Sequence, residues 1–170
     1  MRKAWSIPLA LLMTGAVTTV AIGAASDDTV SPASLRWVAI GQVALDKGQA
    51  PAAIDAFEAA LAVDPKDARA FLGIAHAYDL QGLPGRAIKY YREALSLEPN
   101  DLGALEGQGK ALIARGATTR ARVNLDRIKT LCKGNCPAAK RLETALAAPP
   151  PPILAATASS EPTKPVVTKN

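Results

Sequence analysis

The sequence predicts an all-α fold: three stacked helix–turn–helix units closed by one further helix. Two observations carry this reading. Apolar positions recur at a spacing of 34 residues. Glycine and proline punctuate each copy at matching places. Trp37, Ile40, Gly41, Ala44 and Gly48 are matched by Phe71, Ile74, Ala75, Tyr78 and Gly82, each 34 residues later. Ala53, Phe57, Ala60 and Pro65 are matched at the same offset by Ala87, Tyr91, Ala94 and Pro99. A third copy carries Leu105, Gln108, Gly109, Leu112, Gly116, Ala121, Leu125 and Ile128, with Lys133 where the closing proline would fall.

Each element follows from these positions. Large apolar residues three and four apart make a helical stripe. The stripes place first helices at 34–47, 68–81 and 102–115, and second helices at 50–63, 84–97 and 118–131. Gly48, Gly82 and Gly116 supply the left-handed residue that ends a helix. Pro51 and Pro84 fall in the first turn of a second helix, where a missing N–H costs nothing. Asp64-Pro65 and Glu98-Pro99 stop it, because the residue before proline is pushed out of the helical region. Gly41, Ala53, Ala60, Ala75, Ala87, Ala94 and Gly109 are small where two helices must approach closely. After the third unit, Pro137 opens a last helix over 137–147, with Leu142, Ala145 and Leu146 on one face. It covers the apolar end that a stack of repeats otherwise exposes.

The ends of the chain read differently. Arg2 and Lys3 precede a stretch from Ala4 to Ala25 without charge, closing on Gly23-Ala24-Ala25. A basic start, an apolar middle and a small-residue end make a secretory signal peptide over 1–25, with a linker over 26–33. An uncleaved membrane anchor is the alternative. From Pro149 the chain has four consecutive prolines and then Ala, Thr, Ser and Pro without a period. Such a tail, 149–170, cannot bury enough apolar surface to offset its ordering entropy. The chain is thus expected to be periplasmic or secreted, or held at the inner membrane if the leader stays.

Composition narrows the chemistry. There are one histidine, His76, and two cysteines, Cys132 and Cys136. A zinc site takes about four protein ligands, or three and a water, so no metal is expected and no cofactor motif is present. Cys132 and Cys136 are separated by Lys-Gly-Asn between the third unit and the last helix. In an exported chain that pair reads as a disulfide, contributing about 2 kcal/mol through its short loop. A redox-active pair would want two intervening residues at a helix start. No nucleophile–base pair or phosphate-binding glycine loop stands out, and the chain is expected not to be an enzyme.

The 34-residue pattern, above all AIDAFEAALAVDP and AIKYYREALSLEP, resembles the tetratricopeptide repeat family. The resemblance covers units 34–67, 68–101 and 102–135 and the capping helix 137–147, in a domain over 34–148. It implies a right-handed α-solenoid whose first helices line a concave groove that binds peptides. On that face the first unit carries Leu35, Val38, Gln42 and Leu45, with Asp46 beside them. The second carries Arg69, Leu72, His76 and Asp79, and the third Glu106, Lys110 and Ile113. Family members that clamp a C-terminal carboxylate use Lys and Asn where Val38 and Gln42 stand here.

Charge is graded along the array. Residues 26–67 hold three basic and seven acidic side chains, residues 68–101 four of each, and residues 102–148 nine basic and three acidic. A positive end can meet an acidic protein, a membrane surface or the acidic end of a second copy. Nucleic acid is not an expected partner of an exported chain. The functional expectation is a protein–protein interaction module of the bacterial cell envelope, an adaptor or assembly factor for pili, secretion or the envelope. The alternative is a self-associating structural spacer.

Overall fold

The computed structural model describes residues 30–149. The leader 1–25 and the tail beyond Pro149 lie outside the described residues. Seven helices follow one another: α1 (Pro32–Asp46), α2 (Ala50–Val63), α3 (Ala68–Leu80), α4 (Pro84–Leu97), α5 (Leu102–Ala114), α6 (Thr118–Leu131) and α7 (Pro137–Ala147). Consecutive helices pack as antiparallel pairs, and each pair packs on the next through α2 against α3 and α4 against α5. α7 lies against both α5 and α6.

The curvature follows from which helices touch. α1 contacts α3, α3 contacts α5, and α5 contacts α7, whereas α2 and α4, and α4 and α6, make no contact. The first helices of the units are therefore the inner layer, and α2, α4 and α6 splay apart outside it. α7 continues the inner layer as its fourth member.

The helix ends differ from the sequence expectation in small ways. α1 begins at Pro32, two residues early, because proline at the first helical position already has a helical φ; the expected linker therefore ends at Ser31. α1, α3 and α5 each stop one residue short, at Asp46, Leu80 and Ala114. Gly48, Gly82 and Gly116 then take φ values of 70, 67 and 74°. Each turn is closed by the same pair of bonds: Gly48 N–H to Leu45 O at 2.8 Å and Gln49 N–H to Ala44 O at 2.9 Å in the first unit. Those bonds satisfy carbonyls that a helix end leaves orphaned.

Aromatic side chains of the second helices lock the units together. The Phe57 ring of α2 lies between Gly41 of α1 and Gly73 of α3, so close that a Cβ on Gly41 would sit 2.7 Å from the ring. Tyr91 of α4 enters the same place one unit on, against Gly107 of α5. Phe57 and Tyr91 are each 1% exposed. Gly109 accommodates Leu142 of α7 in turn.

The two ends of the array differ. At the C-terminal end Leu142 and Cys136 complete a core with Leu105, Leu125 and Ile128, and the sulfurs of Cys132 and Cys136 are joined across the α6–α7 loop with Cα atoms 5.7 Å apart. At the N-terminal end Trp37, Ile40 and Val43 are 41, 52 and 51% exposed. Ile74 and Leu105, at repeat positions matching Ile40 and Trp37, are 1 and 0% exposed. The reason is topological: α3 and α5 receive α2 and α4 on this face, and among the described residues nothing precedes α1. No helix among the described residues is long and apolar enough to cross a membrane.

Candidate functional site

The concave face is built from one register. Positions four residues apart on α1 are repeated on α3, α5 and α7 at the 34-residue offset. Val38, Leu72, Glu106 and Lys140 make one row; Gln42, His76, Lys110 and Thr144 make the next. Residues three to four apart on a helix share a face, so the two rows run side by side across the inner layer.

The structure brings most of the expected residues to this face, with different roles. Val38 is half-buried and packs on the first core cluster. Gln42 Nε2 donates to Asp46 Oδ1 at 2.9 Å, and both side chains are exposed. Arg69 points back to Asp67, with Nε 3.1 Å from Oδ1. Leu72 is half-buried against Ala75, Tyr91 and their neighbours. Leu45, expected in the groove, is instead buried in the core beside Ala53 and Phe57. It stands on the same side of α1 as Gly41 and Ser34, which turns it toward α2.

At the centre the groups interlock. Tyr91 passes Gly107 and its Oη donates to Asp79 Oδ2 at 2.5 Å. His76 packs edge-on to Tyr91, with ring centroids 5.7 Å apart. Burial pushes the His76 imidazole down from its ordinary value against the pull of Asp79, Asp101 and Glu106, so it is neutral at pH 7. Burial pushes the Asp79 carboxyl up, with the Tyr91 hydrogen bond opposing. The Tyr91 hydroxyl, buried and facing Asp79, is raised well beyond its ordinary value and stays protonated.

Glu106 is the pivot of the C-terminal end. It is 7% exposed and accepts from Lys110 Nζ at 2.6 Å, Arg141 Nε at 2.7 Å and Arg141 Nη2 at 2.6 Å. Burial raises its pKa, but the Arg141 and Lys110 bonds and charges outweigh burial, and the carboxyl lies below its ordinary value. A depressed carboxyl contributes stability above its unfolded value, and that contribution is lost as pH falls through the folded value. The stability difference between the wild type and Glu106→Gln is therefore expected to shrink as pH drops from about 6 to about 3. Urea denaturation of both proteins across that range measures it; a constant difference would show that the fork to α7 contributes nothing.

Among the described residues no group of His, Cys, Asp and Glu is placed to hold a metal ion. A family model for the tetratricopeptide repeat matches residues 38–101 and 77–129, more than half of the chain. The chain belongs to the tetratricopeptide repeat family. Its fold is the right-handed α-solenoid of that family. Solved tetratricopeptide domains share the fold. The first such domain of Spaghetti (RPAP3), bound to the HSP90 peptide SRMEEVD, superposes with a TM-score of 0.63 at 22% identity, over 71% of this chain and 100% of that one. The Sgt2 domain from Aspergillus fumigatus gives a TM-score of 0.63 at 23% identity, over 82% of this chain and 91% of that one. Protein CTR9 homolog of Arabidopsis thaliana is 32% identical over 78 residues, 46% of this chain. The chain spans 7% of the length of that curated relative.

Sequence reasoning ended the tetratricopeptide groove at the third unit and missed its fourth wall. α7 contributes Lys140, Arg141 and Thr144 to the inner layer. The signal was available: adding 34 to Glu106 and Lys110 lands on Lys140 and Thr144. Tyr91 enters the repeat pattern only as the counterpart of Phe57, and the pattern does not show that its hydroxyl reaches Asp79 of the groove.

Proposed function

We propose that this chain is a protein–protein interaction module of the bacterial cell envelope that holds a segment of a partner protein in its concave face. The observation that carries the reading is the inner layer itself. Four helices present two aligned rows that mix apolar side chains, Val38 and Leu72, with Gln42, Lys110, Lys140 and Thr144. An extended or helical segment lying across them meets an apolar contact or a polar partner at each unit. The RPAP3 domain, which shares this fold, is bound to a peptide, and that supports the reading. The role as an adaptor or assembly factor of an exported chain rests on the leader read at 1–25.

Leu72→Glu tests the groove. Leu72 is half-buried on the concave face, so a charge there blocks a ligand; because Leu72 also packs on the core, the variant is used only if its thermal melt matches the wild type. Crosslinking in the native cells is expected to recover a partner with the wild type and with the convex-face variant Lys89→Glu, and to lose it with Leu72→Glu. Equal recovery from all three sinks the groove reading. Export is tested by intact mass without reduction: loss of residues 1–25 with no free thiol is expected, and a full-length chain with two free thiols overturns it.

The second reading is self-association as a spacer. It is favoured by exposed Trp37, Ile40 and Val43 at an acidic end and the basic charge of residues 102–148 at the other. A second copy docked head to tail would cover the first with the second. Sedimentation showing a monomer at both low and high salt removes it.

A further inference from the structure

We propose that Cys132 and Cys136 form a thiol–disulfide exchange site, at which the chain takes two electrons from a dithiol of another protein. The inference is independent of the groove reading. The resting form is the disulfide, with the two Cα atoms 5.7 Å apart. Three intervening residues argue for a fixed staple. The structure supplies the other condition of an exchange pair, a helix start.

The two sulfurs stand at opposite helix poles. Cys132 is the C-cap of α6, where the helix dipole presents its negative end and disfavours a thiolate. Cys136 is the N-cap of α7, a helix of 11 residues, and its sulfur accepts no cap hydrogen bond. An N-cap side chain can accept from the N–H groups of the first turn. A thiolate released at Cys136 meets those donors and the positive end of the dipole. Lys129 and Lys140 line a cleft of about 370 Å³ that Cys136 borders. Lys129 is paired with Glu143, whereas Lys140 makes no ion pair among the described residues. The local charge therefore selects Cys136 as the sulfur that leaves.

Access points the same way. Cys132 is half-buried and the Lys133-Gly134-Asn135 segment beside it is exposed, whereas Cys136 is 8% exposed and belongs to the core cluster of Ile128 and Leu142. An incoming thiolate thus reaches Cys132 Sγ, and a stabilised leaving sulfur speeds the exchange. The steps balance. The partner's thiolate gives its electron pair to Cys132 Sγ, the S–S bond breaks, and that bond's pair leaves on Cys136 Sγ. The product is a mixed disulfide at Cys132. From a monothiol it reverts, because the Cys136 thiolate stands beside it and expels the newcomer. A dithiol resolves it instead. Its second thiolate attacks its own bound sulfur, Cys132 leaves as a thiolate, and both cysteines take up protons. The partner ends as a disulfide and the chain as two thiols.

The cap does not depend on the bond. Leu142 fills the space at Gly109, Arg141 forks Glu106, and Lys129 meets Glu143 at 2.5 Å. Lys133 is the one non-glycine residue among the described residues at a left-handed φ, 29°, and opening the ring frees it to relax. The array therefore stays folded in both forms, as a reversible exchange requires.

The test uses the purified full chain with its disulfide formed. Reduced glutathione is added at neutral pH and stopped after seconds with excess N-ethylmaleimide. Tryptic cleavage after Lys133 separates the two cysteines for mass mapping. Glutathione on Cys132 with maleimide on Cys136 is expected in about tenfold or greater excess over the reverse. An even mixture, the reverse pattern or no adduct at all overturns the proposal. Redox buffers of glutathione supply the second readout. The folded chain is expected to reach half reduction at a ratio of squared reduced to oxidised glutathione about tenfold or more below that needed by the same chain unfolded in urea. A staple that stabilises the fold gives the opposite order by linkage, and that order overturns the proposal. The reduced chain is expected to keep the circular dichroism of the oxidised one; loss of helix on reduction returns the pair to a staple. Each of these failures leaves the groove reading standing, since none of them measures partner binding.

Discussion

Phe57→Ala is expected to lower stability by about 3–5 kcal/mol, the range for truncating a buried phenylalanine. That is a large share of the 5–15 kcal/mol typical of a whole domain. The ring is 1% exposed and touches α1 and α3 at once through Gly41 and Gly73. Most of its buried neighbours, Ala44, Ala53, Ala60, Ala70 and Ala77, are too short to fill the space, which leaves only Leu45 and Ile74 to relax toward it. Stability in a stacked array is a sum of unit and nearest-neighbour terms, so the loss is local. Hydrogen exchange by mass spectrometry is expected to show α1 and α2 losing protection while α5, α6 and α7 keep theirs. Uniform loss along the chain would mean that the array melts as one unit. Gly73→Ala approaches the same junction from the other side. A Cβ there would drive into the Phe57 ring, an overpacking penalty of about 1–3 kcal/mol.

Much of this fold was legible because its rules are local. A left-handed glycine two residues beyond Asp46, Leu80 or Ala114 ends a helix whatever surrounds it. Pro51 and Pro84 mark helix starts by their own geometry. The site was harder to read, because burial there is a property of neighbours. Leu45 lies one turn from Gln42 and belongs to the core, since α2 packs on that side of α1. Glu106 shares a register row with Val38 and Leu72. Yet it is buried and forked by Arg141, 35 residues along the chain. No period in the sequence announces that bond. It exists because α7 occupies the place of a fourth first helix. Trp37 shows the reverse error. Its repeat position implies burial, and only the absence of a packed helix before α1 among the described residues leaves it exposed.

Asp67→Ala is expected to lower stability by about 2–4 kcal/mol, through a lost helix cap and a lost charge-assisted hydrogen bond. Asp67 is 0% exposed. Its Oδ1 caps α3 by accepting from Arg69 N–H at 3.1 Å, and its Oδ2 accepts from the Ser34 hydroxyl of α1 at 2.7 Å. The same carboxylate therefore starts the second unit and ties it to the first. Ser34 is 0% exposed as well, and without Asp67 its hydroxyl keeps only Ala60 O at 3.2 Å. Asp101 is the internal control, 34 residues on and at the same cap. It accepts from Ala104 N–H at 2.5 Å, but Ala68, not a serine, stands where Ser34 would be. Asp101→Ala is accordingly expected to cost about 1 kcal/mol, the cap alone. The difference between the two variants in urea denaturation measures the link across units. Ser34→Ala should recover much of that difference, because it removes one of the carboxylate's two side-chain donors. If Asp67→Ala and Asp101→Ala prove equally costly, the buried Ser34–Asp67 contact adds nothing. The first unit is then held to the second by the apolar packing of α1 and α2 on α3 around Phe57.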